Sequence, residues 1–527
     1  MSRDFQLPGR SPVIACEGMA TTSHPLASLA AIEALRAGGN AADAAVTAVA
    51  VLCVVEPQMT GIGGDCFCML HVPERPVWGY NGSGRAGARA SLETLMARGI
   101  RAIAGDSIHA VTVPGAIDAW AAILDAHGRF SLDRALVPAI HYAERGFPVA
   151  ARVAWDWAWE VGKLRADAGA ARHFLFEGRA PAEGDVVKLP ALARTLRTIA
   201  ANGPRAFYEG PIADDIVATV AARGSFLAAE DFARHRGEVV APISTNYRGL
   251  DVLELPPNTQ GLTALVLLNI LERFDLAALD PLGPDRFHLA LEAARLAYAV
   301  RDTHVADPAF MRAAVPALLD KGFAAELAGR IDRARRMPRA RAPAPGSDTV
   351  YLTVVDRDRM AVSLINTLFS HFGVGICTQE TGIMLTNRGA CFVVDPDHPN
   401  TFGPSKRPMH TIIPALGFRD GRCEFSFGVM GSHYQPMGHV QVVTNIVDYA
   451  MDVQAAIDAP RAFFVGETTV VERGLPPASV EGLRARGHEV ALAPLPWGGA
   501  QAIRIDWERG VLIGGSDPRK DGCALGY

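Results

Sequence analysis

A chain of 527 residues, 49% hydrophobic and 20% charged, has ample material for a buried core and is long enough for two or three domains or one unusually large one. Its formal net charge of −5, from 51 Lys and Arg against 56 Asp and Glu, leaves no electrostatic footprint for nucleic acid or an anionic membrane surface. Glycines and prolines are spread along the chain, which disfavours low complexity.

Met1 to Gly18 lacks the apolar core of a secretory leader, and Ala41 to Cys53 is too short to span a bilayer and carries Asp43, so a soluble, cytoplasmic protein is expected. Ser23-His24-Pro25 offers a cap before an Ala/Leu-rich helix over Ala27–Ala37. Gly38-Gly39-Asn40 stops it, and Ala41–Val55 reads as a second, apolar helix. Gly61-Ile62-Gly63-Gly64 is a tight turn into a strand over Cys66–Val72, without the context of a nucleotide-binding loop. Leu132–Arg145, Leu189–Asn202 and Pro211–Arg223 have helical spacing. Ile243–Leu255 alternates like a strand, and Gly261–Leu271 and Pro284–Arg301 return to helix.

The pattern then breaks. Arg333 to Gly346 is a run of Arg, Ala and Pro without apolar period, which reads as an exposed linker or a cleavage-prone loop. Thr349–Asp356 and Met360–Thr367, separated by Arg357-Asp358-Arg359, read as a β-hairpin that begins abruptly after it. Further strands are predicted at Gly382–Leu385, Ile412–Phe418, Glu424–Val429, Glu467–Val471, Ala500–Asp506 and Val511–Gly514, with helices at His439–Asp448 and Val480–Arg486. A helix-rich first part is thus joined by a loop to a strand-rich last part.

Several chemistries are disfavoured by absence of their motifs. No serine has glycine at both −2 and +2, and no H-E-x-x-H occurs. The eight cysteines make no disulfide framework, and Cys66 and Cys68 lack a second pair at zinc spacing, so no metal site is expected. The junction Asp348-Thr349 is more informative. A threonine hydroxyl is a poor nucleophile until a base stands beside it, and a free α-amine on the same residue, with a pKa of about 8, is such a base. Making that amine requires cleavage before Thr349. On spacing alone, an ordinary strand beginning with Thr349 remains the stronger reading.

Across nearly the whole chain, the sequence resembles the γ-glutamyltranspeptidases and related acylases, which are self-cleaving N-terminal-nucleophile hydrolases. The matching stretches are Gly18-Met19-Ala20, Ser23-His24-Pro25, Gly38 through Ala44, Val55-Glu56-Pro57, Gly61 through Gly64, Arg205 through Pro211, Pro256 through Gly261, Gly403 through Pro408 and Ser516 through Arg519. The resemblance implies a four-layer αββα sandwich of the α/β (α+β) class. It also implies self-cleavage between Asp348 and Thr349 into a large chain, 1–348, and a small chain, 349–527, forming one intertwined domain. Thr349 is then the nucleophile and Thr367 the second threonine that hydrogen-bonds it. The backbone at Gly431-Ser432, where the family has two glycines, would stabilise the oxyanion.

The same register changes the residues that hold a γ-glutamyl head. The family's arginine position falls at Ser83, its asparagine at Phe369, its aspartate at Cys391 and its serine pair at His410-Thr411. The expected substrate is therefore an amide of a small carboxylated acid, as in oxamate amidohydrolases and glutaryl-type acylases. Arg85 is the first candidate for holding its carboxylate, His410 and Thr411 line the site, and Arg388 and Lys406 are further basic candidates. The stretch Ala390–Pro408 is shorter than in lidded transpeptidases, which favours an open site and hydrolysis. No cofactor and no metal are implied, and no nucleic-acid or membrane partner. The two chains would form a heterodimer whose further pairing is open. The alternatives are a γ-glutamyltransferase or glutathione hydrolase, and a non-catalytic relative that never matures.

Overall fold

The computed structural model describes residues 5–6, 9–338 and 349–527. Two seven-stranded antiparallel sheets lie face to face, with a helical layer outside each. The first sheet runs, in spatial order, Cys523–Gly526, Met19–Thr22, Val350–Val355, Ala361–Thr367, Asp65–His71, Trp78–Gly82 and Glu238–Val240. The second runs Val13–Ala15, Val511–Ser516, Gly499–Asp506, Arg422–Met430, Ala415–Arg419, Leu250–Glu254 and Ile243–Tyr247. Each sheet therefore interleaves strands from before and after residue 349, and the αββα order expected from the sequence is the one the chain adopts.

The expected hairpin sits in the middle of the first sheet. Val350 pairs with Asn366 and Val355 with Ala361, and all thirteen residues of its two strands are buried. A sheet covered on both faces needs apolar residues on both, which is why these strands read as near-continuous apolar runs. One face is covered by the helix Ala41–Val55 and the other by the strand Arg422–Met430. That helix is buried along all fifteen residues, between the sheet and the helices Pro25–Arg36 and Leu132–Arg145. Its start is a capping box: Asn40 Oδ1 accepts from the N–H groups of Ala42 and Asp43, and Asp43 Oδ2 accepts from the Asn40 N–H at 2.8 Å. The Gly-Gly-Asn-Ala-Ala-Asp stretch is thereby a helix-start device.

On the outer side of the second sheet lie Gly261–Leu271, Gln435–Val447 and Val453–Asp458, with Pro284–His304 packed over the first of them. Among the described residues, no helix is long and apolar enough to cross a membrane.

Three sequence expectations are corrected. Ile243–Leu255 is a hairpin, with Arg248 and Gly249 at positive φ between Ile243–Tyr247 and Leu250–Glu254, because alternation carries no mark of a two-residue reversal. Gly382–Leu385 forms no strand: only the single bridge Cys377–Met384 occurs there, and Gly382 takes φ +68°. Met19–Thr22 and Cys523–Gly526 are strands the reading did not anticipate, each four residues long and stabilised by neighbours rather than by local pattern. The 333–346 linker lies mostly outside the described residues, as does Asp348.

Burial holds several imidazoles neutral. Desolvation lowers the pKa of His24 to about 4 and those of His410 and His439 to about 3. Between those values and 6.5 the unfolded chain binds protons that the folded chain refuses, so folding stability rises with pH across that window. As pH drops below 6.5, each such imidazole should cost up to about 1.4 kcal/mol of stability per pH unit, opposed by the buried carboxyls of Glu56 and Glu254, whose pKa burial raises. Urea unfolding at pH 7 and pH 5 in the parent and in His24→Asn isolates one imidazole: the variant should lose less stability between the two values, and an identical loss would contradict the assignment.

Candidate active site

Thr349 immediately precedes its strand and is fully buried. One step beyond the Val350–Asn366 pair, it stands opposite Thr367, and the two hydroxyls lie 3.1 Å apart. Thr367 Oγ1 also accepts the Phe369 N–H at 2.8 Å, which fixes its direction.

The glycine-rich turn passes directly behind this pair. A Cβ on Gly64 would lie 2.0 Å from the Thr367 carbonyl oxygen, and one on Gly63 would lie 2.1 Å from that of Met384. Only glycine allows backbone to approach backbone so closely. The turn is therefore a packing device beneath the threonines rather than a phosphate cradle.

Across the sheets, Thr353 Oγ1 meets Ser426 Oγ at 2.6 Å, and the Tyr351 ring fills the space a side chain on Gly428 would need. The two strands run past each other in opposite directions, so the next step along this face brings Thr349 to the Met430–Gly431 end. There the chain turns sharply: Gly431 has φ +127° and Ser432 φ +52°. The serine is thus held in the left-handed region in which side-chain-bearing residues are uncommon. Its carbonyl accepts Gln260 Nε2 at 2.9 Å, and the same nitrogen donates to the Thr411 carbonyl at 2.6 Å. Arg301 Nη1 donates to Gln260 Oε1 at 2.7 Å and to His433 Nδ1 at 3.0 Å. Gln260 and Arg301, both buried, thereby tie the turn to the helical layer. Gln260 lies in the matching stretch Pro256 through Gly261, but nothing local in the sequence marks its role.

His410 and Thr411 occupy a strand-like segment bonded to the loop before Gly261: the His410 N–H donates to the Asn258 carbonyl, and its own carbonyl accepts the Gln260 N–H, both at 2.8 Å. Ile412 N–H donates to His410 Nδ1, so Nε2 carries the proton and donates to Asp65 Oδ2 at 3.0 Å. Burial, reinforced by Arg388, keeps the ring neutral despite Asp65. Asp65 Oδ1 also accepts the Gly84 N–H, so this carboxylate links a segment 19 residues away to one 345 residues away. Asp65 was missed because nothing local distinguishes a carboxylate at a strand's start.

Arg388 is fully buried. Its Nη1 donates to Thr411 Oγ1 at 2.8 Å and lies 3.7 Å from Cys391 Sγ, while its face stacks on Phe369 at 4.1 Å. Burial pulls its pKa down. Phe369, Cys391 and Thr411, which the sequence resemblance places at three expected substrate-binding positions, thus gather around one guanidinium. Arg85 is placed differently: its side chain is 36% exposed and engages Glu238 at 2.7 Å, Asp307 at 3.4 Å and the Ser405 carbonyl. Ser83 is buried and bonded to Asn81, and Lys406 Nζ donates to the Pro399 carbonyl. Thr349, Thr367, Arg388, His410 and Thr411 show no solvent exposure, so the uncut chain presents a closed site rather than the open one expected from the short 390–408 stretch.

Among the described residues, one group could hold a metal: His288, Glu292 and His488. His288 Nδ1 and His488 Nε2 are 2.9 Å apart, and their other ring nitrogens bond to the Asp332 carbonyl and Thr469 Oγ1. Two neutral rings satisfy every one of these contacts, and the adjacent Arg295 opposes a cation.

A family model described as Gamma-glutamyltranspeptidase matches residues 27–527. The glutathione hydrolase-like YwrD proenzyme of Bacillus subtilis (strain 168) is 39% identical, over 98% of this chain and 99% of its own length. The oxamate amidohydrolase proenzyme of Klebsiella pneumoniae is 36% identical, over 98% and 99%. The crystal structure of cephalosporin acylase from Bacillus halodurans superposes with a TM-score of 0.93 at 38% identity, covering 100% of this chain and 99% of that one.

Proposed function

Because the chain belongs to the gamma-glutamyltranspeptidase family, we propose that it is a self-cleaving amidohydrolase with Thr349 as nucleophile, acting on amides of small carboxylated acids. The observation that carries this reading is the 3.1 Å contact between the Thr349 and Thr367 hydroxyls at the head of a buried central strand. The proenzyme names of the relatives support a maturation step.

In maturation, Thr349 Oγ1 attacks the Asp348 carbonyl carbon, and the peptide C–N bond breaks as the ester forms. Water then opens the ester, leaving an Asp348 carboxylate and a free Thr349 amine. The division yields chains 1–348 and 349–527, which stay together as a heterodimer because each sheet takes strands from both.

In turnover, the Thr349 amine accepts the proton of Oγ1 as the oxygen attacks the substrate amide carbon. The developing oxyanion is met by main-chain N–H groups at Gly431-Ser432, which a serine supplies as well as a glycine does. The proton passes to the leaving amine as the C–N bond breaks. Water attacks the resulting acyl ester, its proton returning through the Thr349 amine, and the carboxylic acid leaves. Thr367 positions Oγ1 throughout.

Residues that would hold a substrate ammonium are replaced by Phe369 and Cys391, and an unpaired ammonium in a dry site is costly. Glutaryl-p-nitroanilide should therefore exceed γ-glutamyl-p-nitroanilide in kcat/KM by about tenfold or more. The reverse order would favour a glutathione hydrolase, and absence of any processed chain would favour the non-catalytic alternative.

A further inference from the structure

Arg388 carries a full positive charge in complete burial, and among the described residues no carboxylate lies within ion-pairing distance of it. Of its three nitrogens, Nη1 is used by Thr411 and Cys391. Nε and Nη2 are buried with no hydrogen-bond acceptor. These two nitrogens form one side of the planar fork, the edge that grips a carboxylate with two parallel N–H···O bonds. The stacked Phe369 ring covers the face and leaves that edge unobstructed by the stack.

Other buried arginines find compensation nearby: Arg295 lies 3.5 Å from Glu292 and 3.7 Å from Glu467, Arg301 bonds Asp302, and Arg286, which meets no carboxylate, donates its Nη2 to Asn445 Oδ1. Arg407 reaches Glu238, Arg461 reaches Asp517, and Arg152 reaches Asp156. An arginine whose bidentate edge alone is left unmatched is a site waiting for an anion, since buried charges are retained where something compensates them.

Its position relates it to the threonines. Phe369 carries the guanidinium on its ring and donates its N–H to Thr367 Oγ1, which contacts Thr349 Oγ1. Resting on the reading of Thr349 as the nucleophile, we infer that the Nε–Nη2 edge of Arg388 binds the substrate's free carboxylate, and that the ligand class is a short acyl amide ending in an anionic group. Thr411 holds the fork from its opposite side, and Phe369 fixes its plane. The exposed Arg85, already shared between Glu238 and Asp307, is then a structural cross-link.

The test uses the full-length protein and two chromogenic substrates of matched shape, glutaryl-p-nitroanilide and its uncharged counterpart valeryl-p-nitroanilide. In the parent the charged substrate should be strongly favoured. In Arg388→Gln the glutaryl-to-valeryl ratio of kcat/KM should fall by about 100-fold, mostly through KM for the charged substrate. Arg388→Lys, which keeps the charge but loses the fork, should fall between the two. Arg85→Gln should leave the ratio within about threefold of the parent.

A processed Arg388→Gln protein that keeps the parental ratio overturns the assignment, as does failure of both Arg388 variants to mature, which would make Arg388 a structural residue. Failure of the underlying reading looks different: the parent itself would remain one band or would turn over neither anilide.

Discussion

Thr349→Ala should leave a single 527-residue band on a denaturing gel where the parent should give two, of 348 and 179 residues. The substitution removes the oxygen proposed to attack the preceding carbonyl while keeping the backbone and the Cβ. The fold has little reason to fail. Thr367 Oγ1 keeps the Phe369 N–H as a partner, so losing the Thr349–Thr367 bond costs about 1 kcal/mol. The thermal midpoint should shift by a few degrees at most, whereas amide turnover should fall by at least about 1,000-fold. Thr349→Ser, which keeps a hydroxyl and loses a methyl, should restore the two bands at a slower rate. Two bands from Thr349→Ala would mean that another group cuts the chain and that the proposed mechanism is wrong.

Gly64→Ala should be a severely damaging single-methyl change at the site, with a loss of about 3 kcal/mol or more. The added Cβ would sit 2.0 Å from the Thr367 carbonyl oxygen, so backbone must move against backbone. Neither side is free to yield. The Gly64 carbonyl accepts the N–H groups of Gly115 and Ala116 at 2.9 and 3.0 Å, anchoring the start of the helix Ala116–His127, and Thr367 ends a fully paired central strand. Displacement of Thr367 would also move its hydroxyl away from Thr349, so maturation should slow together with the loss of stability. Chemical denaturation gives the first quantity and gel densitometry over time the second. Processing at the parental rate in a folded Gly64→Ala protein would show that the Thr349–Thr367 geometry tolerates more displacement than the closed packing suggests.

Much of this arrangement was legible before any coordinates. The hairpin starting at Thr349, the capped helix Ala41–Val55 and the tight Gly61–Gly64 turn each announce themselves locally, through an apolar run, a capping pair and a glycine cluster. Four of the short or interrupted elements that the local pattern does not reveal share one physical property. Met19–Thr22 and Cys523–Gly526 are strands because central neighbours pair with them, Gly382–Leu385 is not one because no neighbour does, and Ile243–Leu255 reverses at two residues whose positive φ leaves no hydropathic trace. Strand formation depends on the partner's presence, and the partner lies far away in the chain.

The sequence by itself determined the chemistry on offer: a threonine at the head of an apolar strand, a second threonine one hairpin away, and a glycine-bearing turn able to present main-chain donors. Only the tertiary structure decided which side chains meet there. It paired Asp65 with His410, tied Ser432 to Gln260 and Arg301, sent Arg85 into exposed ion pairs, and left Arg388 buried beside the threonines with one edge unmatched. The reason is that periodicity and caps report forces between residues a few positions apart. Whether a buried charge is compensated is settled by groups hundreds of residues away, and only folding brings them within a hydrogen bond's reach.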